Sequence, residues 1–212
     1  MKYKHSARDY CRPPEPMCLR AWVVLIALTI LLVGCARAVP AWRLDDVEGH
    51  LPDLAFRLTS DAGDEVTEKA YAGDVVLLFF GYTHCPDVCP LTLARLHGGL
   101  EKLGRAGNQV HVLFVSVDPT RDTPQALHRY LSVFDSRITG LTGSPAAVES
   151  LAKRYRAAFS RETGTNASDY EVSHSSGIYV FDQKGKARLL ATPTSSIDAI
   201  VHDVRILISE KG

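Results

Sequence analysis

Val75–Phe80 reads VVLLFF, and Val110–Val117 reads VHVLFVSV. A strand with one face in water alternates apolar and polar side chains. A strand-length run that is apolar at nearly every position fits a sheet covered on both faces. Between the two runs, Leu93, Leu96, Leu100 and Leu103 recur at helical spacing and predict a helix over Leu91–Leu103. The rest of the chain keeps the alternation. Leu54–Leu58 is an earlier strand, followed by a turn at Asp61–Asp64. Gln125–Phe134 is a short helix started by Pro124, and Ile138–Leu141 is a brief strand. Ser144 and Pro145 open a helix running to Phe159. Ile178–Phe181 and Arg188–Ala191 flank a turn at Gln183–Gly185 and form a hairpin. A last helix opens at Ser195-x-x-Asp198 and ends near Ser209.

This order predicts an α/β domain of thioredoxin type, a central mixed sheet with helices on both faces, over residues 51–212. Fold alone does not assign a function. The 24 Lys and Arg balance 24 Asp and Glu, so no whole-chain charge recommends a nucleic-acid partner.

The first forty residues read as an address. Ala21–Val33 (AWVVLIALTILLV) carries no charge and is too short to span a bilayer, which takes about 20 helical residues. Lys2, Lys4, Arg8, Arg12 and Arg20 precede it, the arrangement of a secretory signal. Leu32-Val33-Gly34-Cys35 closes the run and resembles the lipobox of bacterial lipoproteins. The expectation is a signal peptide over 1–34, cleaved before a lipidated Cys35, and a linker over 35–50. Acyl chains on Cys35 would then hold the domain at a membrane on the periplasmic side, at ~0.8 kcal/mol per buried methylene. Met17 is an alternative start, since MCLR followed by the apolar run has a more usual signal length. Cys11 and Cys18 fall upstream of cleavage in either case.

Five cysteines cannot all pair within one chain, and none follows position 89. Cys85 and Cys89 lie in Gly81-Tyr-Thr-His-Cys85-Pro-Asp-Val-Cys89-Pro90, between the first apolar strand and its helix. Ligands of open α/β sheets bind at the carboxyl ends of strands. A helix start favours thiolate over thiol. Cysteines four apart on one helical turn have Cβ atoms about 5–6 Å apart. That permits a disulfide after adjustment, or two thiolates on one metal ion. A pair of buried, inert cysteines is the bland alternative. Ser116-Val-Asp118-Pro-Thr-Arg121-Asp122-Thr-Pro124 follows the second strand and should emerge at the same sheet edge. Its charges read either as a solvated turn or, at Asp118, as a group that orients the site. His174, in Tyr170-Glu-Val-Ser-His174-Ser175-Ser-Gly177, precedes a hairpin strand and is a ligand candidate. His84 reads as loop surface, and His50, His97, His111, His128 and His202 have no motif context.

GYTHCPDVCP, SVDPTRDTP and YEVSHSS, in this order, resemble the Sco family, also called SenC or PrrC, over roughly residues 50 to 208. The resemblance implies a membrane-tethered thioredoxin-fold copper protein that helps to assemble the CuA centre of cytochrome c oxidase. Its client would be the CuA-bearing subunit or another copper-requiring protein. It also implies that Cys85, Cys89 and His174 bind copper and that Asp118 influences the site. The family's usual Asp-His-Ser is here Ser173-His174-Ser175. Two thiolates and an imidazole suit Cu(I) and can hold Cu(II), whereas structural zinc takes four ligands. The rival reading is a thiol–disulfide oxidoreductase with Cys85 as nucleophile and Cys89 as resolving thiol. Against it, the usual dithiol spacing is CxxC, and Ser176-Gly177 stands where such reductants carry a proline.

Overall fold

The computed structural model describes residues 41–166 and 169–210. The expected signal peptide, Cys11, Met17, Cys18, Cys35 and the first part of the expected linker lie outside the described residues. No helix among the described residues is long and apolar enough to cross a membrane.

The strands are β1 Asp45–Asp46, β2 Arg57–Ser60, β3 Glu65–Thr67, β4 Val75–Gly81, β5 Val110–Ser116, β6 Ile138–Thr142, β7 Phe159–Asn166, β8 Asp169–His174, β9 Ile178–Phe181 and β10 Ala187–Ala191. The helices are α1 Val88–Leu103, α2 Pro124–Leu131, α3 Pro145–Arg154 and α4 Ile197–Ser209. Eight strands form one mixed sheet in the order β1-β10-β9-β4-β5-β6-β2-β3. The two apolar runs lie at its centre and pair in parallel, from Val75 opposite Val110 to Gly81 opposite Ser116. All seven residues of β4 are buried.

Period-2 geometry sorts that strand between two cores. Val75, Leu77 and Phe79 face the layer that holds Leu93, Leu96 and Leu100 of α1 and Ile200, Val204 and Leu207 of α4. Val76, Leu78 and Phe80 face Val148, Leu151 and Tyr155 from α3 and its end. Each fully buried Leu, Val or Phe contributes roughly 1.5–3 kcal/mol over its exposed state, so the central pair is the part of the domain least free to shift.

The α/β sheet covered on both faces is therefore as expected, and the departures are local. The strand expected at Leu54–Leu58 lies at Arg57–Ser60 and is the second, β2. Helix α1 begins at Val88, ahead of the expected Leu91, because Pro90 in a first turn has no intrahelical N–H partner to forfeit. Helix α2 starts at Pro124 under the Thr123 cap and stops at Leu131. Helix α3 has the expected Ser144 cap, its Oγ accepting from the Ala147 N–H at 3.2 Å. It ends at Arg154, not Phe159, because Arg156 turns left-handed (φ 56°) and the Ala157 N–H closes back on the Ala152 carbonyl at 2.9 Å. Helix α4 is capped by Ser196, whose Oγ accepts from the Ala199 N–H at 3.1 Å. Ser195 instead accepts from the Thr192 N–H at 2.9 Å.

Residues 41–50, read as the end of a linker, are packed on the domain. Asp45 and Asp46 pair with Leu190 and Leu189 of β10. The Asp203 carboxylate of α4, fully buried, accepts from the N–H groups of Arg43 (2.9 Å) and Leu44 (2.8 Å) and faces His202 Nδ1 at 2.7 Å. Asp203→Ala deprives two backbone donors of their acceptor. The expected cost is about 2–4 kcal/mol, read by denaturant unfolding, with faster amide exchange confined first to residues 43–46.

Candidate metal centre

Three chain segments reach one edge of the sheet because of how three strands are paired. Parallel pairing sets Gly81 beside Ser116. The loops leaving β4 and β5 therefore depart together. Strand β9 runs antiparallel to β4 with Ile178 opposite Phe79, so residues 174–177 arrive at the same edge from the other direction.

Cys85 and Cys89 do not share a helical turn as the spacing suggested. Cys85 sits in a turn before α1, its N–H bonded to the Tyr82 carbonyl at 3.2 Å. Its half-buried sulfur accepts from the Cys89 N–H at 3.5 Å. Cys89 is inside the first turn of α1 and only 1% exposed. Gly81 makes room for it: a Cβ there would lie 2.8 Å from Cys89 Sγ and 2.7 Å from the Phe114 ring. Burial pushes the Cys89 thiol far above its ordinary range. The backbone N–H of Tyr82 opposes that shift, and the charges of Cys85 and Asp122 add to it.

His174, at the end of β8, lies with its Nε2 3.4 Å from Cys89 Sγ. Its Nδ1 is 3.1 Å from the Ser175 carbonyl oxygen, which can only accept, so Nδ1 carries the proton and Nε2 presents a lone pair to the sulfur. The Tyr82 ring meets the imidazole edge-on at 5.9 Å. The donor atoms of Cys85, Cys89 and His174 all lie within 4.8 Å of one another. Ligands at about 2.0–2.3 Å from one ion, with open angles between them, stand about 3.5 Å apart. The group fits a shared soft metal ion with little rearrangement.

The loop after β5 is not the solvated turn that its charges allowed. Asp118 and Asp122 are both fully buried. Asp122 accepts from the Thr83 N–H (3.0 Å), Thr83 Oγ1 (2.6 Å) and Ser116 Oγ (2.6 Å), and so pins the segment just before Cys85. Sequence reasoning gave Asp122 no such task; the signal available was a second acid four residues after Asp118. Asp118 pairs with Arg121 and accepts from Tyr170 Oη at 2.7 Å. Arg121 stacks on the Tyr170 ring at 3.8 Å and donates to the Tyr170 carbonyl at 3.3 Å. The Val172 N–H donates to Tyr82 Oη at 3.4 Å. These contacts hold the β7–β8 hairpin, which forms its own two-stranded sheet, where it delivers His174. Asp118 thus reaches the hairpin that carries His174 through Tyr170. Tyr82 and Tyr170 went unread because nothing local marks a tyrosine as a strut.

The remaining histidines follow their bland reading. His84 is largely exposed, 3.0 Å from Thr83 Oγ1. His97, His111, His128 and His202 each face an aspartate, namely Asp135, Asp74, Asp61 and Asp203. His97, Glu101 and Asp135 also cluster, but Arg137 donates to Asp135 at 2.7 and 2.6 Å and to Glu101 at 2.8 Å. Burial opposes ionisation of Asp135, yet Arg137 holds its carboxyl well below the usual carboxylate range. A guanidinium already fills the place a cation would take. Ser173, where an acid was expected from the resemblance, is exposed.

Tyr170→Phe removes the donor to a buried carboxylate, at about 1.5–3 kcal/mol. The loosened hairpin is expected to raise amide exchange over 170–174 several-fold while α1 stays protected. Unchanged exchange there would remove Tyr170 as the strut.

Known proteins resemble the chain closely. The SCO1/SenC family model matches residues 48–209. "Protein SCO1 homolog 1, mitochondrial" of Arabidopsis thaliana is 43% identical over 126 residues, 59% of this chain and 37% of that protein. "Protein SCO2, mitochondrial" of Saccharomyces cerevisiae is 41% identical over 197 residues, 84% of this chain and 65% of that protein. The chain therefore spans less than two thirds of the length of these curated relatives. The solved structure of Bradyrhizobium japonicum ScoI with copper bound is 35% identical, with a TM-score of 0.68 over 73% of this chain and 98% of that one.

Proposed function

The chain belongs to the SCO1/SenC family, and from that membership and its Cys85–Cys89–His174 group we propose that it is an extracytoplasmic copper metallochaperone serving cytochrome c oxidase assembly. Copper is its cargo. Two thiolates and one imidazole receive the ion, and it passes to the CuA-bearing subunit or another copper-requiring client. The reading includes cleavage after residue 34 and tethering of the domain to a membrane through lipidated Cys35.

One observation carries the proposal: three soft or borderline donors from separate segments lie within 4.8 Å, with the lone pair of His174 Nε2 turned to Cys89 Sγ. Thiolates at low coordination number favour Cu(I) and tolerate Cu(II). Structural relatives include copper-bound ScoI of Bradyrhizobium japonicum and copper-bound yeast Sco1. The donors come from two kinds of element: Cys85 and Cys89 lie at a strand–helix corner against the core, while His174 ends a strand of a separate two-stranded hairpin. The oxidoreductase reading has less support, because it leaves no task for His174, whose Nε2 stands 3.4 Å from Cys89 Sγ.

Equilibrium copper competition tests the ligand set. Cys85→Ser and Cys89→Ser are expected to lower affinity by more than about 100-fold, and His174→Ala by at least about tenfold. Unchanged affinity in His174→Ala would take that residue out of the site.

The pH dependence has a definite sign. Burial pushes the Cys89 thiol up, so at neutral pH the unloaded domain keeps that proton and must release it on loading. Apparent affinity then rises about tenfold per pH unit from Cys89 alone and falls as pH drops. Competition measured at several pH values through the neutral range would show it, and a flat profile would refute it.

A further inference from the structure

An open groove of about 610 Å³ runs beside the loop that carries Asp118. Val117, Val148 and Ala152 are buried at its floor, and Pro119, Pro145 and Phe159 present its apolar walls. Its charged lining is Glu149, Lys153 and Arg156. Lys153 is matched by Glu149 at 2.7 Å, whereas Arg156 has no carboxylate partner among the described residues. One positive charge at the rim is left over. A cavity of this size suits a small organic molecule, and apolar walls with one or two placed polar groups are the usual lining of such sites.

Arg156 also stands where the backbone would prefer another residue. Helix α3 closes through two bonds, from the Arg156 N–H to the Lys153 carbonyl (3.1 Å) and from the Ala157 N–H to the Ala152 carbonyl (2.9 Å). That closure needs a left-handed residue, here Arg156 at φ 56°, and glycine is the usual choice because it has no Cβ to crowd. Arginine there costs stability that glycine would not. A cost borne by the one unmatched charge on a groove points to a use for the side chain.

Both sides of the groove lead to His174. On one side, the Ala158 N–H donates to Ser175 Oγ at 2.9 Å, and the Ala158 carbonyl accepts from the Ser175 N–H at 2.8 Å. Phe159 pairs with His174 across the hairpin. On the other side, Val117 and Pro119 flank Asp118, which accepts from Tyr170 Oη at 2.7 Å. A ligand that touches both sides braces the hairpin between them.

We propose that this groove binds a small amphipathic carboxylate and that its occupant stiffens the hairpin carrying His174. The apolar chain lies against Pro119, Pro145 and Phe159, and the anion meets the Arg156 guanidinium, whose fork matches a carboxylate. A single unmatched cation suits a monoanion, and the apolar walls offer nothing to a sugar or a nucleotide. The inference goes beyond the copper reading and stands whatever His174 ligates.

The test titrates decanoate into the full chain, read by calorimetry and by amide exchange, with decanol as the uncharged control. Saturable binding of decanoate is expected, weakened several-fold to tenfold by Arg156→Gly and by raised salt, and largely kept by Arg156→Lys. Arg156→Gly should melt no lower than wild type, because the left-handed strain it removes offsets the chain entropy it adds. Lost binding in that variant is then not lost folding. With decanoate bound, exchange over 157–160 and 170–175 should slow several-fold while α4 is unchanged. No saturation below the micelle-forming concentration, equal binding of decanol, or wild-type affinity in Arg156→Gly would each overturn the site. Binding that leaves exchange over 170–175 unchanged overturns its link to the hairpin. A dimer that Ala158→Glu disperses, in a chain that does not bind decanoate, would put a second copy in the groove and overturn the proposal as well.

Discussion

The in-register parallel pairing of Val75–Gly81 with Val110–Ser116 is the constraint on which the site depends. Parallel neighbours end at the same edge, so the loops that leave them are forced together without any attraction between the loops themselves. Burial on both faces removes the freedom to slip, because a one-residue shift would exchange Leu77 and Phe79 with Leu78 and Phe80 between two unlike cores. Gly81 and Ser116, the last rung, then do the local work. Gly81 leaves the gap into which Cys89 Sγ fits, and Ser116 Oγ donates to Asp122 and accepts from the Asp118 N–H. The precision of the cysteine corner is inherited from the sheet.

The two buried aspartates hold opposite sides of the centre. Asp122 secures Thr83 and with it the approach to Cys85; Asp118 secures Tyr170 and with it the hairpin of His174. Four residues apart on one loop, they link the cysteine corner to the hairpin of His174 through a single short segment. A carboxylate without water is costly unless its acceptor sites are filled, and both have donors. The arrangement thus resists disorder in that loop, and the loop in turn decides how far His174 stands from the sulfurs.

What was legible in the sequence follows from how local each signal is. VVLLFF and VHVLFVSV carry their burial in composition alone, and the Ser144-Pro145 start carries a cap and a fixed φ together. The nearness of Cys85, Cys89 and His174 was legible because each lies in a motif beside a strand end. Strands β7 and β8 were not, since β7 is almost wholly polar, β8 alternates over only two apolar residues, and their place is set by Tyr170 and Val172 packing onto a distant layer. The burial of Asp118 and Asp122 was not legible, because two acids around an arginine usually form a solvated turn, a reading left open beside an orienting role for Asp118. Only the fold reveals that Tyr170, Thr83 and Ser116 supply the donors that let them be buried. Arg156 is a similar case: no residue preference advertises a left-handed turn at arginine, yet that turn ends α3 and sends the chain into the hairpin.

The burial of Cys89 has a thermodynamic consequence that joins these strands of argument. A surface pair of thiols would ionise readily and react with oxidants and alkylating agents. Here one sulfur is half-exposed and the other lies against Gly81 and Phe114, held as a thiol by burial. Deprotonation of Cys89 is then uphill until a cation arrives to balance the charge, so loading and proton release are one event. Burial shields that sulfur and, on the copper reading proposed above, opposes the charge that loading would create there. On the copper reading proposed above, a cargo must be held tightly enough to capture and weakly enough to release, and a buried thiol beside an imidazole on a separate hairpin is suited to both needs.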